Sequence, residues 1–221
     1  MPVIAVINPK GGVGKTTITL NLGLFLSTYS NNIVFVDLDP QHSLTDWLKR
    51  RPKVLSQHKC IKTTCIKLCK ENFSSLDKNT CYLLDCPAGM NKEEISNLLD
   101  LSDIFLIPVT PSPVDLSALT HFFFQLAAND KHKIEDKVLA LIANRAKTYT
   151  RAHSQTITKI QKFKIPLIAT FRDTQNYTLP ASRGMGIIDL PAYHTEADID
   201  SWNSILIWLK QNLTTPCQLQ T

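Results

Sequence analysis

The residues best suited to chemistry are Asn8-Pro9-Lys10-Gly11-Gly12-Val13-Gly14-Lys15-Thr16-Thr17, where glycines, two lysines and two hydroxyls follow an apolar run, Val3 to Ile7. Strand, Gly-rich loop and helix in that order make a phosphate cradle. Gly11, Gly12 and Gly14 let successive N–H groups converge on phosphate oxygens at a helix N-terminus. Lys15 adds a point charge against the β- and γ-phosphates, and Thr16 offers a hydroxyl to Mg²⁺. The common pattern G-x-x-x-x-G-K-[ST] calls for glycine at position 9, where this chain has Pro9, and Lys10 is an additional lysine at the head of the loop. From the strand side of the loop, the long Lys10 stem can point outward, toward a second subunit's nucleotide.

A nucleotide hydrolase also needs carboxylates near the metal and the attacking water, at the C-terminal ends of neighbouring strands. Two strand ends supply them. Val34-Phe35-Val36-Asp37-Leu38-Asp39-Pro40-Gln41 carries two acids two positions apart, which extended geometry places on one face. Asp39, further out, is the candidate to orient water, and Asp37 is the candidate to support the metal's water shell. Tyr82-Leu83-Leu84-Asp85-Cys86-Pro87-Ala88-Gly89 delivers Asp85 as a second metal-site acid, then breaks into a segment able to sense the γ-phosphate.

The elements that must position these groups are legible as apolar, β-branched runs: Val3 to Ile7, Ile33 to Val36, Tyr82 to Leu84, Ile104 to Val109, Val138 to Ala143 and Leu167 to Phe171. Helical spacing appears between them at Thr16 to Thr28 and Asp115 to Ala128, and Ile199 to Leu213 closes the chain. This alternation predicts an α/β fold, a mostly parallel twisted sheet with helices on both faces, forming one domain over residues 1–221. Residues 49–80 show no firm period, and an irregular or helical excursion is expected there.

At 221 residues, with 43% hydrophobic and 19% charged side chains, the chain can bury a two-faced sheet core and is not of disordered composition. It shows no apolar run of membrane-spanning length and no signal peptide before the first strand, so a cytoplasmic protein is expected. The six cysteines, at 60, 65, 69, 81, 86 and 217, form no C-x-x-C pair. Reduced thiols are favoured over a metal site for the cluster Cys60, Cys65 and Cys69. A net charge of +5 permits binding to a polyanion without requiring it.

Taken together, Lys10-Gly-Gly-Val-Gly-Lys-Thr-Thr17, Asp37-Leu-Asp-Pro-Gln41 and Leu84-Asp-Cys-Pro87 resemble the deviant Walker A ATPases of the ParA/MinD group over nearly the whole chain. Ser43-Leu44-Thr45-x-Trp47 and Ile107-Pro-Val-Thr-Pro-Ser-Pro-Val-Asp115 resemble the short ParF-type plasmid partition ATPases. The resemblance implies an ATP- and Mg²⁺-dependent switch for DNA partition. Two subunits would close face to face on ATP, with each Lys10 reaching the other's phosphates. The closed dimer would bind DNA without sequence preference, and a centromere-binding ParB- or ParG-like adaptor would stimulate hydrolysis and release. The protein would then be nucleoid-associated in its ATP state.

The resemblance further implies that Pro108, Pro111 and Pro113 lie near the dimer face and that Asn144-Arg145 meets the adenine. Arg172 and Pro180 keep the spacing of a DNA-facing Arg and a Pro in the chromosomal proteins, although Thr174-Gln175-Asn176-Tyr177 lacks their second Arg. Lys147, Arg151, Arg172 and Arg183, with Lys159, Lys162 and Lys164, are the candidate DNA phosphate contacts. Two alternatives stay open: a MinD-like membrane-associated positioning ATPase and an ATPase that positions another cargo, such as a microcompartment. A membrane partner is disfavoured, because the stripe Trp202, Ile205, Leu206, Trp208, Leu209 and Leu213 has only Lys210 as nearby positive charge and suits a core-packed helix.

Overall fold

In the computed structural model, which describes residues 2–30, 32–63, 80–147 and 151–213, seven strands form one sheet in the order β3-β2-β4-β1-β5-β6-β7. They are β1 (Val3–Val6), β2 (Ile33–Asp37), β3 (Lys59–Lys62), β4 (Cys81–Asp85), β5 (Ile104–Val109), β6 (Val138–Ala146) and β7 (Leu167–Arg172). Every pairing is parallel. All strand C-termini therefore gather along one edge, and the segments leaving that edge build a common site.

Side-chain alternation divides the core into two layers. Ile4, Val6, Phe35, Leu83, Leu106, Ile142 and Phe171 face α1 (Lys15–Leu26), α2 (Ser43–Arg50) and α7 (Ala192–Asn212). Their neighbours Ala5, Ile7, Val36, Leu84, Phe105, Ile107 and Leu141 face α3 (Lys92–Leu101), α4 (Pro113–Glu135) and α5 (Arg151–Ile160). Trp202 of α7 anchors the first layer, fully buried, stacked on Phe25 at 5.2 Å and packed on Phe171 at 4.6 Å. Truncating such a side chain to alanine costs about 3–5 kcal/mol. The apolar stripe of the last helix therefore serves the core. Among the described residues, no helix is long and apolar enough to cross a membrane.

Two expectations need correction. Within residues 49–80, the chain adds β3, an edge strand paired in parallel with β2, instead of a wholly irregular or helical excursion. Its sequence, Lys-Cys-Ile-Lys, is too short and too half-buried to carry a strong period. The rest of that stretch, 64–79, lies outside the described residues. The second correction concerns length: α4 begins at Pro113 behind a Ser112 cap and runs to Glu135, and α7 begins at Ala192. Polar turns at both ends hide these extensions from a pattern of apolar residues. The shorter helix α6 (Thr178–Ala181) follows β7.

Candidate functional site

The phosphate loop leaves β1 and enters α1 at Gly14, which holds φ at 97°. Two features confine that position to glycine. The backbone is left-handed, and an added Cβ would lie 2.2 Å from the Asn144 Nδ2. The Asn144 amide donates to the Val13 carbonyl at 2.8 Å, so the end of β6 is stitched to the loop. Asn8 braces the loop's other side, donating to the Pro108 carbonyl and accepting from the Lys10 N–H, both at 2.8 Å.

Lys15, buried at 7% exposure, donates to the Lys10 carbonyl at 3.0 Å. Burial lowers its pKa, opposed by the Asp85 and Asp39 carboxylates. A lysine so placed offers a partly desolvated charge to whatever anion fills the loop. Around it opens a cleft of about 450 Å³, whose lining includes Gly11, Gly12, Lys15, Thr16, Thr17, Asp39, Ser43, Arg50 and Arg145.

Parallel register brings the acids together. Asp37 on β2 lies opposite Asp85 on β4, which in turn lies opposite Val6, where β1 gives way to the loop. Both aspartates are fully buried. Asp37 Oδ2 accepts from the Thr45 N–H at 2.8 Å and its hydroxyl at 2.6 Å, whereas Oδ1 has no hydrogen bond. Neither oxygen of Asp85 has one of good geometry. Burial pushes the Asp85 carboxyl up to about 7, with the Thr16 hydroxyl and Lys15 pulling it down and Asp37 and Asp39 pushing it further up. Buried, unsatisfied carboxylate oxygens beside a threonine hydroxyl suit a hard cation and its water shell. Asp39 is half-buried and lines the cleft itself, one oxygen fixed by the Gln41 N–H at 2.9 Å.

Lys10 turns away from this cleft. Its ammonium pairs with Asp115 in the first turn of α4, and its side chain is 39% exposed against 7% for Asp115. Ser112, the helix cap, donates to the other Asp115 oxygen at 2.7 Å. Sequence reasoning overlooked Asp115 as a site residue. Its local signal was present, since Ser-Pro-Val-Asp is a capping pattern, but its ion partner 105 positions away has no local trace.

A second cleft, of about 480 Å³, adjoins the first through Gly14, Thr17 and Arg145. Its other lining residues are Asn144, Arg172, Asp173, Thr174, Gln175, Tyr177 and Thr178. Arg145 stands in the left-handed region, φ 53°, where the β6–β7 register breaks between Ala143 and Ala146. That irregularity turns Asn144 inward and leaves Arg145 exposed between the clefts. Asn144 and Arg145 thus both line the second cleft, and Arg145 lines the first as well.

Two of the expected DNA contacts, Lys147 and Arg172, stand at the ends of neighbouring strands, since Ala146 pairs with Arg172. Arg172 lines the second cleft with its side chain 44% exposed, and the buried Asp198 clasps it at 2.9 and 3.1 Å. Lys147 is exposed beyond β6, and Arg183 is exposed on the turn after α6. Arg151 opens α5, its side chain lying outside the described residues. Pro108 ends up buried within β5, pairing with Ile142, and Pro113 takes the first turn of α4. Among the described residues, no cluster of His, Cys, Asp and Glu is arranged to hold a metal by itself. Cys60, Cys81 and Cys86 are joined in no disulfide, whereas Cys65, Cys69 and Cys217 lie outside the described residues.

One buried network had no counterpart in the sequence reading. Arg51, just past α2, binds Asp189 through both ends of its guanidinium at 2.7 and 3.0 Å, Gly184 O at 3.2 Å and Ser56 O at 2.8 Å. Trp47 Nε1 donates to the Met185 carbonyl at 3.2 Å. These bonds fix α2, which packs beside the acids, to the segment after β7.

A parallel sheet, a phosphate loop leaving its central strand and acids on two adjacent strand ends define a P-loop nucleotide-binding protein. The family model described as the CobQ/CobB/MinD/ParA nucleotide binding domain matches residues 4–187, and the chain belongs to that family. It is 29% identical over 212 residues to the maintenance of carboxysome distribution protein A of Halothiobacillus neapolitanus, covering 92% of this chain and 94% of that protein. Over 160 residues it is 25% identical to a protein ParA of Rhizobium radiobacter, covering 71% and 70%. Its fold is similar to that of a putative plasmid partition protein of Borrelia burgdorferi bound to AMPPNP, with a TM-score of 0.75, 21% identity and coverage of 95% and 99%. The chain thus belongs to the ParA/MinD family of nucleotide-binding proteins, whose members are ATPases that bind ATP with Mg²⁺.

Proposed function

We propose that this protein is an ATP-driven positioning switch, acting in the partition of DNA, that closes as a dimer on two nucleotides and binds duplex DNA in that state. The observation that carries this reading is Lys10. A lysine that served its own phosphates would turn into the cleft with Lys15. This one is not among the residues that line the cleft and pairs instead with Asp115 in the first turn of α4. From there its long stem can reach a nucleotide bound to a second copy.

In this reading the loop amides and Lys15 hold the phosphates, and Thr16, Asp37 and Asp85 would hold Mg²⁺, Asp37 and Asp85 through its waters. When bound, Mg²⁺ offsets phosphate charge as it builds on the leaving group. Asp39, open to the cleft, orients the water that attacks the γ-phosphate. Lys10 from the partner subunit adds positive charge to the same phosphates. Asn144 and Arg145 meet the base and sugar, and a small adaptor protein bound to the cargo speeds hydrolysis.

A second reading keeps the cycle and changes the cargo. The match with the carboxysome-distribution protein over 92% of this chain favours a proteinaceous body as the thing moved. The membrane-positioning reading draws no support from α7, whose Trp202, Ile205 and Leu209 are fully buried. Light scattering with Mg²⁺ and non-hydrolysable ATP tests the dimer. We expect wild type to double in mass and Lys10→Ala to remain a protomer. A wild-type protomer persisting at saturating nucleotide overturns the proposal.

A further inference from the structure

Two exposed basic groups stand apart from the phosphate loop. One, Lys159, Lys162 and Lys164, precedes β7 and so lies at the N-terminal edge of the sheet, opposite the nucleotide clefts. The other lies at the nucleotide edge. Lys49 and Arg50 form the last turn of α2, Lys53 follows, and Arg183 sits on the turn whose next residue packs on the α2 end.

The packing is tight enough to make these one surface. A Cβ on Gly184, which has φ 68°, would lie 2.2 Å from the Arg51 nitrogen and 2.5 Å from the Arg50 carbonyl carbon. Arg183 is therefore backbone-adjacent to Arg50. Of the acids nearby, Asp46 pairs with Lys49 at 3.5 Å, Asp189 is held by buried Arg51, and Asp39 lines the phosphate cleft with Arg50. Arg50, Lys53 and Arg183 have no ion pair among the described residues, and Arg50 also lines the phosphate cleft with Arg145.

We propose that Arg50, Lys53 and Arg183, carried on the platform that the Arg51–Asp189 pair locks together, form the surface that meets the phosphate backbone of duplex DNA. The inference rests on the dimeric, DNA-binding reading above and adds where the DNA sits. Charges held on a rigid base lose little conformational freedom on binding. Closure of a dimer presents two such patches, so two weak contacts act as one bivalent one, which makes binding follow the nucleotide state. The lysines at the opposite edge have no such link to the clefts. A lipid surface suits the patch less well, since only Val54 on the α2 side and Leu179 on the α6 side are exposed large apolar side chains near it among the described residues.

The test measures binding of random duplex DNA, with Mg²⁺ and non-hydrolysable ATP, across a salt series from about 50 to about 200 mM. Wild type is compared with Lys53→Gln/Arg183→Gln and with Lys159→Gln/Lys162→Gln, which removes the same charge from the other edge. Light scattering in the same nucleotide checks that each still dimerises. We expect the first pair to weaken binding about tenfold or more and to flatten the log–log salt slope by about 3 to 4 per dimer. The second pair should stay within about twofold of wild type.

Equal loss in both variants would reduce the effect to net charge and overturn the proposal. So would wild-type affinity in the first pair, which would leave the DNA-binding reading standing. A wild-type dimer that ignores DNA at every salt would overturn both. Anionic vesicles of phosphatidylglycerol and phosphatidylcholine serve as a parallel arm, and a defect of the first pair confined to them would also overturn the DNA assignment.

Discussion

Replacing Asp115 with asparagine should make the protein dimerise more readily. In the structure, Lys10 is held by an acid of its own subunit, and an arm that must reach a partner has to leave that acid first. Asp115 is nearly buried while Lys10 is 39% exposed, so the pair lies between a surface ion pair and a buried one, and solvent screens part of it. A value of about 1 kcal/mol is reasonable for such a contact. Each subunit breaks one pair on closing, so a dimer is opposed by about 2 kcal/mol, or roughly 30-fold in the dissociation constant. Asparagine keeps the shape and can still bond Ser112, which leaves the α4 cap in place. Sedimentation velocity over a dilution series, with Mg²⁺ and non-hydrolysable ATP, reads the constant directly. A tighter dimer, by about 10- to 30-fold, is expected for Asp115→Asn. An unchanged or weaker dimer would refute the reasoning and show that Asp115 does not hold Lys10 back.

Further outcomes follow from the same geometry. Asp189→Ala strands the buried Arg51 charge and should lower stability by about 3–5 kcal/mol, read as a fall in Tm of roughly 6–20 °C by calorimetry. Arg51→Met/Asp189→Leu, which removes both charges, should recover much of that loss. Asp39→Ala should still bind ATP but lose hydrolysis, because the residue lines the cleft without being needed to hold phosphate; unchanged phosphate release would remove it from the mechanism. Lys15→Ala should lose nucleotide affinity outright, seen as loss of a fluorescent ATP analogue's signal.

Much of the site is local and could be read along the chain. A phosphate loop needs its glycines, lysine and hydroxyl in consecutive order, because one strand-to-helix turn must present them all, so Lys15 and Thr16 were recognisable by spacing. Asp37, Asp39 and Asp85 were legible for a related reason: each ends an apolar run, and in a parallel sheet the ends of such runs share an edge. The two-layer core followed from the same runs, since parallel strands need helices on both faces. Strand β3 escaped because a four-residue edge strand with a lysine at each end and only Cys60 and Ile61 between them looks like a loop.

What only the tertiary structure decided are the pairings between distant segments. Lys10 meets Asp115, Arg51 meets Asp189 and Arg172 meets Asp198, separated by 105, 138 and 26 positions. No periodicity encodes such partners, because each depends on where whole strands fall in the sheet order. For the same reason the ion pair that holds the exposed Arg172 beside the second cleft could not be read along the chain. The contiguity of Arg183 with the end of α2 likewise arises only when the chain folds back across the sheet. Short-range order specifies which groups can act on phosphate; long-range packing determines which of them are restrained, which are free and what lies beside them.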